Sequence, residues 1–314
     1  MGDGDPIIDL HMHSVHSDGT CTAQQLIDML AAKGAGIISF TDHDSVGCYR
    51  DLRSGRATLE PGMTLVPGVE LSCQVGGSLR DMLGYGISVS VVNEHLEERY
   101  SSERRVQKQQ RVLEQLMEVC RRHGLRFDGS LMAREGKKAE AFVIMYNELN
   151  RYPENVERCP FVADNTTFYW RYFSNRDSDF FVDETFDLPS FSEAVDVIHN
   201  AGGKAFLAHP YAYGMSQSGV EELVREAVDA GVDGIELKHS SNKNDDVKRI
   251  EAFAEEYGLL FSGGTDFHGA TKPGLELVSG YGNMMVEYEE IAPWINGVRR
   301  ACGGSNEDIL ELWA

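Results

Sequence analysis

IIDLHMHSVHSDGT, residues 7–20, opens on a short apolar run that reads as a buried strand and runs into a polar segment carrying His11, His13 and Asp18. Two histidines at i and i+2 on an extended backbone share a face. Both imidazoles can therefore aim at one metal ion at the carboxyl end of the strand. An HxH pair alone can equally be two satisfied core histidines, so its meaning rests on what the rest of the chain repeats. His16 sits in the turn that follows and is expected to line or support the pocket rather than to ligate.

The same arrangement recurs along the chain. Ala23, Leu26, Ile27 and Leu30 have helical spacing, with a stop at Gly34 and Gly36. The strand 37–40 then runs into Thr41-Asp42-His43-Asp44. An apolar run at 63–67 leads to Gly68-Val69-Glu70, and Asp81 opens a glycine-spaced strand, where its carboxylate is either a ligand or a surface turn residue. From about residue 91 to 186 the alternation stops. That segment is rich in Glu, Arg and Gln, then aromatic and irregular, and it reads as a mostly helical inserted cap subdomain. Alternation resumes with strands ending in His209, in Lys238-His239-Ser240-Ser241-Asn242, and in Asp266-Phe267-His268.

Strands that alternate with helices imply a parallel sheet, and functional groups at the carboxyl ends of many successive strands imply a closed barrel rather than an open sheet with one switch point. The expected fold is α/β: a distorted (β/α)7 barrel over 1–90 and 187–314. Six of the ten histidines fall at expected strand ends, a placement that a core role would not select.

Composition sets outer bounds. A net charge of −21 over 314 residues argues against a protein that tracks along polymeric nucleic acid, where Lys and Arg must neutralise phosphates. A small anionic substrate remains compatible, with local positive charge supplied by bound divalent ions. The six cysteines show no CxxC and read as reduced thiols. With no signal-like amino terminus and no long apolar run, a cytoplasmic protein is expected.

The motifs DLHMHSVHSDGT, TDHD, PGVE, LAHP and TDFH, in that order, resemble those of the PHP (polymerase and histidinol phosphatase) family, within the wider amidohydrolase group. The resemblance covers roughly 1–90 and 187–314. It implies a distorted seven-stranded barrel holding two or three divalent ions and hydrolysing small phosphate esters, either nucleotide-type phosphomonoesters or cyclic phosphodiesters, with a metal-held hydroxide as nucleophile. By position it implies that His11, His13, Glu70 and Asp266 hold one ion and that Asp18, His43 and His268 hold a second, with Glu70 bridging. A third ion would use His209 and a histidine at the start of the fourth strand, where this chain has Asp81. Mixed His and carboxylate donors suit zinc, manganese or iron. Asp266 would orient the nucleophile, and His239 or His209 would serve the leaving oxygen.

Where related proteins carry an Arg-Pro-His segment that grips phosphate, this chain has Gly136-Lys137-Lys138-Ala139, so a different substrate is expected. Lys137 and Lys138 on the cap, and Lys238, His239 and Asn242 on the barrel, are the candidates for holding it. The aromatic stretch 161–173 either stacks on a base or forms the cap's own core. Two competing functions are a carbon–nitrogen hydrolase of the amidohydrolase type, which the acid-rich ligand set disfavours, and a non-catalytic phosphate-binding module, which would show broken ligand positions.

Overall fold

Thr22 begins the first helix, Ala23–Ala32: its hydroxyl accepts the Gln25 N–H while Gln25 reaches back to the Thr22 N–H. The same device, Ser190 with Glu193, starts Phe191–Asn200. Each helix lays an apolar stripe inward, Ala23, Leu26, Ile27 and Leu30 in the first and Phe191, Ala194, Val195 and Ile198 in the second. The computed structural model describes residues 5–134, 140–303 and 306–313. The chain divides into two compact units, Met1–Leu96 with Leu188–Ala314, and Glu97–Asp187.

The first unit contains two sheets. One has the order β1 (Ile7–Asp9), β2 (Ala35–Ile38), β3 (Thr64–Leu65), β9 (Ala301–Cys302); the other runs β4 (Gly68–Val75), β5 (Ser78–Tyr85), β6 (Lys204–Leu207), β7 (Gly234–His239), β8 (Leu260–Gly264). The expected single closed barrel of seven strands does not form among the described residues. One reason is the two-residue turn at Gly76-Gly77, with φ of +53° and +71°, which folds β4 and β5 into an antiparallel hairpin. Another is β3, only two residues long, whose far edge is taken by antiparallel β9.

The two sheets still meet at two seams, each made by a few backbone hydrogen bonds. At one, Leu10 donates to Gly263 (3.2 Å), Asp266 to His11 (2.8 Å) and His13 to Phe267 (2.8 Å). At the other, Asp44 donates to the carbonyl of Glu70 at 2.8 Å. The residues at both seams are those of the sequence motifs, so the irregular pairing gathers the motif side chains.

The second unit has its own core. Helix Ser102–Arg122 supplies Val112, Leu113 and Leu116; Phe142 and Met145 come from Glu140–Leu149. In the aromatic stretch, Phe168 and Phe173 are fully buried and Phe161 stacks on Tyr172 at 3.6 Å, so those rings serve the core, while Trp170 is exposed. Lys137 and Lys138 lie outside the described residues.

Candidate metal centre

The loop after β1 carries His11 and His13, both fully buried, and their Nε2 atoms lie 3.2 Å apart. Glu70 on β4 brings Oε2 to 3.2 Å from His11 Nε2 and 3.1 Å from His13 Nε2. Asp266, just beyond β8, brings Oδ1 to 3.4 Å and 3.2 Å from the same two nitrogens. Separations near 3.2 Å are those that a tetrahedral ion with donors at about 2 Å sets between its ligands. The donor set therefore fits a divalent cation.

Two further groups adjoin it. His13, Asp18, His43 and His268 form one, with Asp18 Oδ1 at 3.6 Å from His13 Nδ1 and 3.3 Å from His268 Nε2. His43, Glu70 and Asp81 form the other. His43 Nδ1 is 3.2 Å from Glu70 Oε2 without hydrogen-bond geometry and 3.9 Å from Asp81 Oδ1. His209 Nε2 meets the second Glu70 oxygen at 2.9 Å. Glu70 is thus shared by all the histidines of two groups. His43 Nδ1, Asp81 Oδ1 and His209 Nδ1 are buried without a hydrogen-bond partner, a costly state for polar atoms unless a ligand completes them.

The electrostatics favour positive charge at this point. Burial works against it, yet Glu236, Glu70 and Asp266 hold the His11 imidazolium well above the ordinary histidine range. Against the same burial, Asp266 and Glu70 push His13 up to about 9, and Glu70 pushes His209 up to about 9. Glu70 and Asp266 are held well below the usual carboxylate range by the surrounding histidines, although burial pushes both up. Asp81 differs: burial, then the Glu70 charge, raises it. His239 is lowered, chiefly by burial.

Backbone strain collects here. Asp44, His209 and Asp266 adopt φ of +47°, +24° and +56°, a region that non-glycine residues enter at a cost and that tends to mark functional sites. Gly264 meets the opposite demand of close approach, since a Cβ there would lie 2.1 Å from the His11 backbone nitrogen.

Asp81 does not open its strand as expected; it lies inside the β4–β5 ladder opposite Ser72, with Tyr213 donating to its Oδ2 at 3.0 Å. His239 Nε2 meets Asp266 Oδ2 at 3.2 Å. The cavity of about 410 Å³ at the site is lined by Asp18, His43, Asp81, His209, Asp266, His268, Thr271 and Lys272. Two barrel candidates are not brought to it. Lys238 turns to Glu290 at 3.2 Å, and Asn242 donates to the Leu237 carbonyl at 3.0 Å. His16 pairs with Asp51 at 2.7 Å and joins none of the three groups.

Several residues of the site do not stand out in the sequence. Glu236, fully buried, accepts from His11 Nδ1 at 2.8 Å and from the backbone N–H of His209 at 2.8 Å, fixing the His11 ring and the backbone at His209 at once. A bulge between Glu236 and Lys238 lets Glu236 and His239, three apart, both reach the site, which an unbroken period of two would forbid. The available signal was a carboxylate inside an apolar strand. Asp42 gathers the Ser14 N–H (2.7 Å) and the hydroxyls of Ser14 and Ser17, shaping the turn after His13. Lys272, whose ammonium contacts Asp266 Oδ2, has no motif around it.

No protein-family model matches the chain. Curated relatives match most of it. A 3',5'-nucleoside bisphosphate phosphatase of Chromobacterium violaceum is 28% identical over 86% of this chain and 90% of its own. A 5'-3' exoribonuclease of Haemophilus influenzae is 26% identical over 83% of this chain and 89% of its own. A phosphoribosyl 1,2-cyclic phosphate 1,2-diphosphodiesterase of Eggerthella lenta is 28% identical over 84% and 94%. Among solved structures, an amidohydrolase from Chromobacterium violaceum aligns with TM-score 0.56 and 25% identity, covering 86% of this chain and 89% of that one. These relatives are named for hydrolysis of phosphate esters, which bears out the resemblance to a family of phosphoesterases. The exoribonuclease name weighs against the exclusion of polymeric nucleic acid drawn from net charge. That charge belongs to the whole chain, whereas a bound nucleic acid meets only local charge.

Proposed function

We propose that this protein is a metal-dependent phosphoesterase acting on a small nucleotide-type phosphate ester, either a monoester or a cyclic diester. The observation that carries this reading is the four-atom group of His11, His13, Glu70 and Asp266, with donor atoms spaced as a single cation requires. In this reading His11, His13, Glu70 and Asp266 hold one ion, and Asp18, His43 and His268 with His13 hold a second. Glu70 would be shared between ions, and Asp81, His43 and His209 would offer donors for a third. Zinc, manganese and iron(II) all suit such mixed donors. Bound ions would supply Lewis-acid stabilisation of phosphoryl charge and lower the pKa of a bound water.

The chain's own residues do the rest. Glu236 fixes the His11 ring by accepting from Nδ1, so that Nε2 faces the ion. Asp266 presents Oδ1 to the donor group and Oδ2 to His239 and Lys272, and from there it would orient a water. His239, buried beside Oδ2 and held by Ser241 at 2.7 Å, would serve the leaving oxygen in this reading. The six free cysteines fit a reducing compartment, and with it the cytoplasm.

A second reading comes from the exoribonuclease names: the site would remove 5' nucleotides from single-stranded RNA one at a time. One panel separates the two. Metal-loaded protein is given a nucleoside 3',5'-bisphosphate, a cyclic nucleotide and a 5'-phosphorylated oligoribonucleotide, and the products are resolved. Faster turnover of the first or second, by kcat/KM, supports the proposal. A ladder of shortened RNA with slow turnover of both small esters supports the second reading. Hydrolysis of amides alone would overturn both.

A further inference from the structure

We infer that Lys272 is the cation that grips the substrate's phosphoryl group, a role that rests on the phosphoesterase reading above. Among the residues lining the cavity, Lys272 alone carries a fixed positive charge; the rest are carboxylates, histidines and a threonine. Its backbone is held in place. It follows the single turn Gly269–Thr271, where the Thr20 hydroxyl accepts the Ala270 N–H at 2.9 Å, the Thr20 N–H donates to the His268 carbonyl at 3.1 Å, and the Thr271 hydroxyl donates to that carbonyl at 3.1 Å. The base of the side chain is therefore anchored to the first and last motifs of the site, while its four-carbon stem is about one third exposed and free to reposition.

The ammonium now contacts Asp266 Oδ2 and lies 3.3 Å from the Asp266 carbonyl. Asp266 thus has one oxygen toward His11 and His13 and the other toward Lys272 and His239. A cation bound by Oδ1 would draw off part of that negative charge and release the ammonium toward an anion in the cavity. Lysine holds phosphate as a compact point charge with three donors. A phosphoryl oxygen placed between the donor groups and Lys272 would be held from two sides, and Thr271 at the same rim belongs to the same turn. The class of ligand is a tetrahedral oxyanion, with a dianionic monoester held more tightly than a monoanionic diester.

The test uses the full chain loaded with manganese, and the probe is inorganic phosphate measured by calorimetry. In Lys272→Met, phosphate affinity falls at least tenfold, bound metal per chain is unchanged, and Lys272→Arg recovers most of the affinity. For any phosphomonoester the protein hydrolyses, KM rises while kcat changes little. Unchanged phosphate affinity in Lys272→Met overturns the inference. So does loss of metal in that variant, because the lysine would then act by setting Asp266, and so does absence of phosphate binding by the unmodified protein. Phosphate binding that depends on Lys272 in a protein that hydrolyses no phosphate ester would uphold the inference and defeat the function proposed above.

Discussion

Glu70 is the residue that two of the three donor groups share, with one oxygen near His11, His13 and His43 and the other on His209. Glu70→Gln keeps the shape but halves the donor capacity. Phosphate release is expected to fall by several orders of magnitude together with bound metal, read by elemental analysis of the same sample. Full metal content with full activity would remove the bridging role. Glu236 is one step further out, touching the ring of His11 and the backbone N–H of His209 rather than the ion position. Glu236→Gln is expected to weaken metal affinity by about 10–100-fold, measured by competition with a chelating dye. His16→Ala should leave metal content intact and cost less than about 1 kcal/mol, since only a partly exposed pair with Asp51 is lost. His11, His13, His43, His209, Asp266 and His268 were legible because each follows a strand in a short polar motif, whereas Glu70 and Asp81 lie inside β4 and β5. Glu236 and Lys272 were not: one is a single acid in an apolar strand, brought in by a bulge, and the other is one lysine in a loop, brought in by a turn.

At the scale of elements, the strand ends were legible and the pairing was not. Helices Phe191–Asn200 and Asn244–Tyr257 follow from their apolar spacing and their caps or stops, and β6, β7 and β8 follow from apolar runs between them. The antiparallel β4–β5 pair follows from the turn at Gly76-Gly77, which breaks the regular strand–helix rhythm on either side. β9 is two residues long, too short for periodicity to register. Close backbone approach is the element-level requirement of the site, and Gly264 shows it most sharply. Gly264→Ala is expected to push β8 from the His11 backbone, destabilising the fold by about 1–3 kcal/mol in urea unfolding and lowering metal content. Wild-type values for both would mean the two strands have slack. Asp233 ties the elements together, accepting from the Ala205 N–H at 2.9 Å, Lys204 at 2.8 Å and His199 at 2.8 Å. Burial pushes its carboxyl up, but Lys204, Ala205 and His199 together hold it below the ordinary value. A depressed carboxyl contributes its stability above the unfolded pKa of about 3.9 and loses it as the pH falls through the folded value. Asp233→Asn should therefore cost about 1–2 kcal/mol at pH 7 and progressively less on acidification below pH 4. A cost that does not change with pH would show that the charge is not what stabilises the junction.

The whole molecule is two units with separate cores, and the described site residues fall within the first, while the second holds the aromatic cluster around Phe168 and Phe173. No described helix is long and apolar enough to cross a membrane. A chain of net charge −21 gathers carboxylates and histidines from several strands and the loops after them, and the excess negative charge there is what a cluster of divalent ions would offset. The claim of metal-dependent phosphoester hydrolysis is tested most directly by titrating manganese into chelator-treated, metal-free protein while following phosphate release from a nucleoside 3',5'-bisphosphate. The expected result is negligible release without metal, a rise that follows bound metal, and saturation at two or three equivalents per chain. Release that is unaffected by chelation, or full metal binding with no release from this or any other phosphate ester, would contradict it.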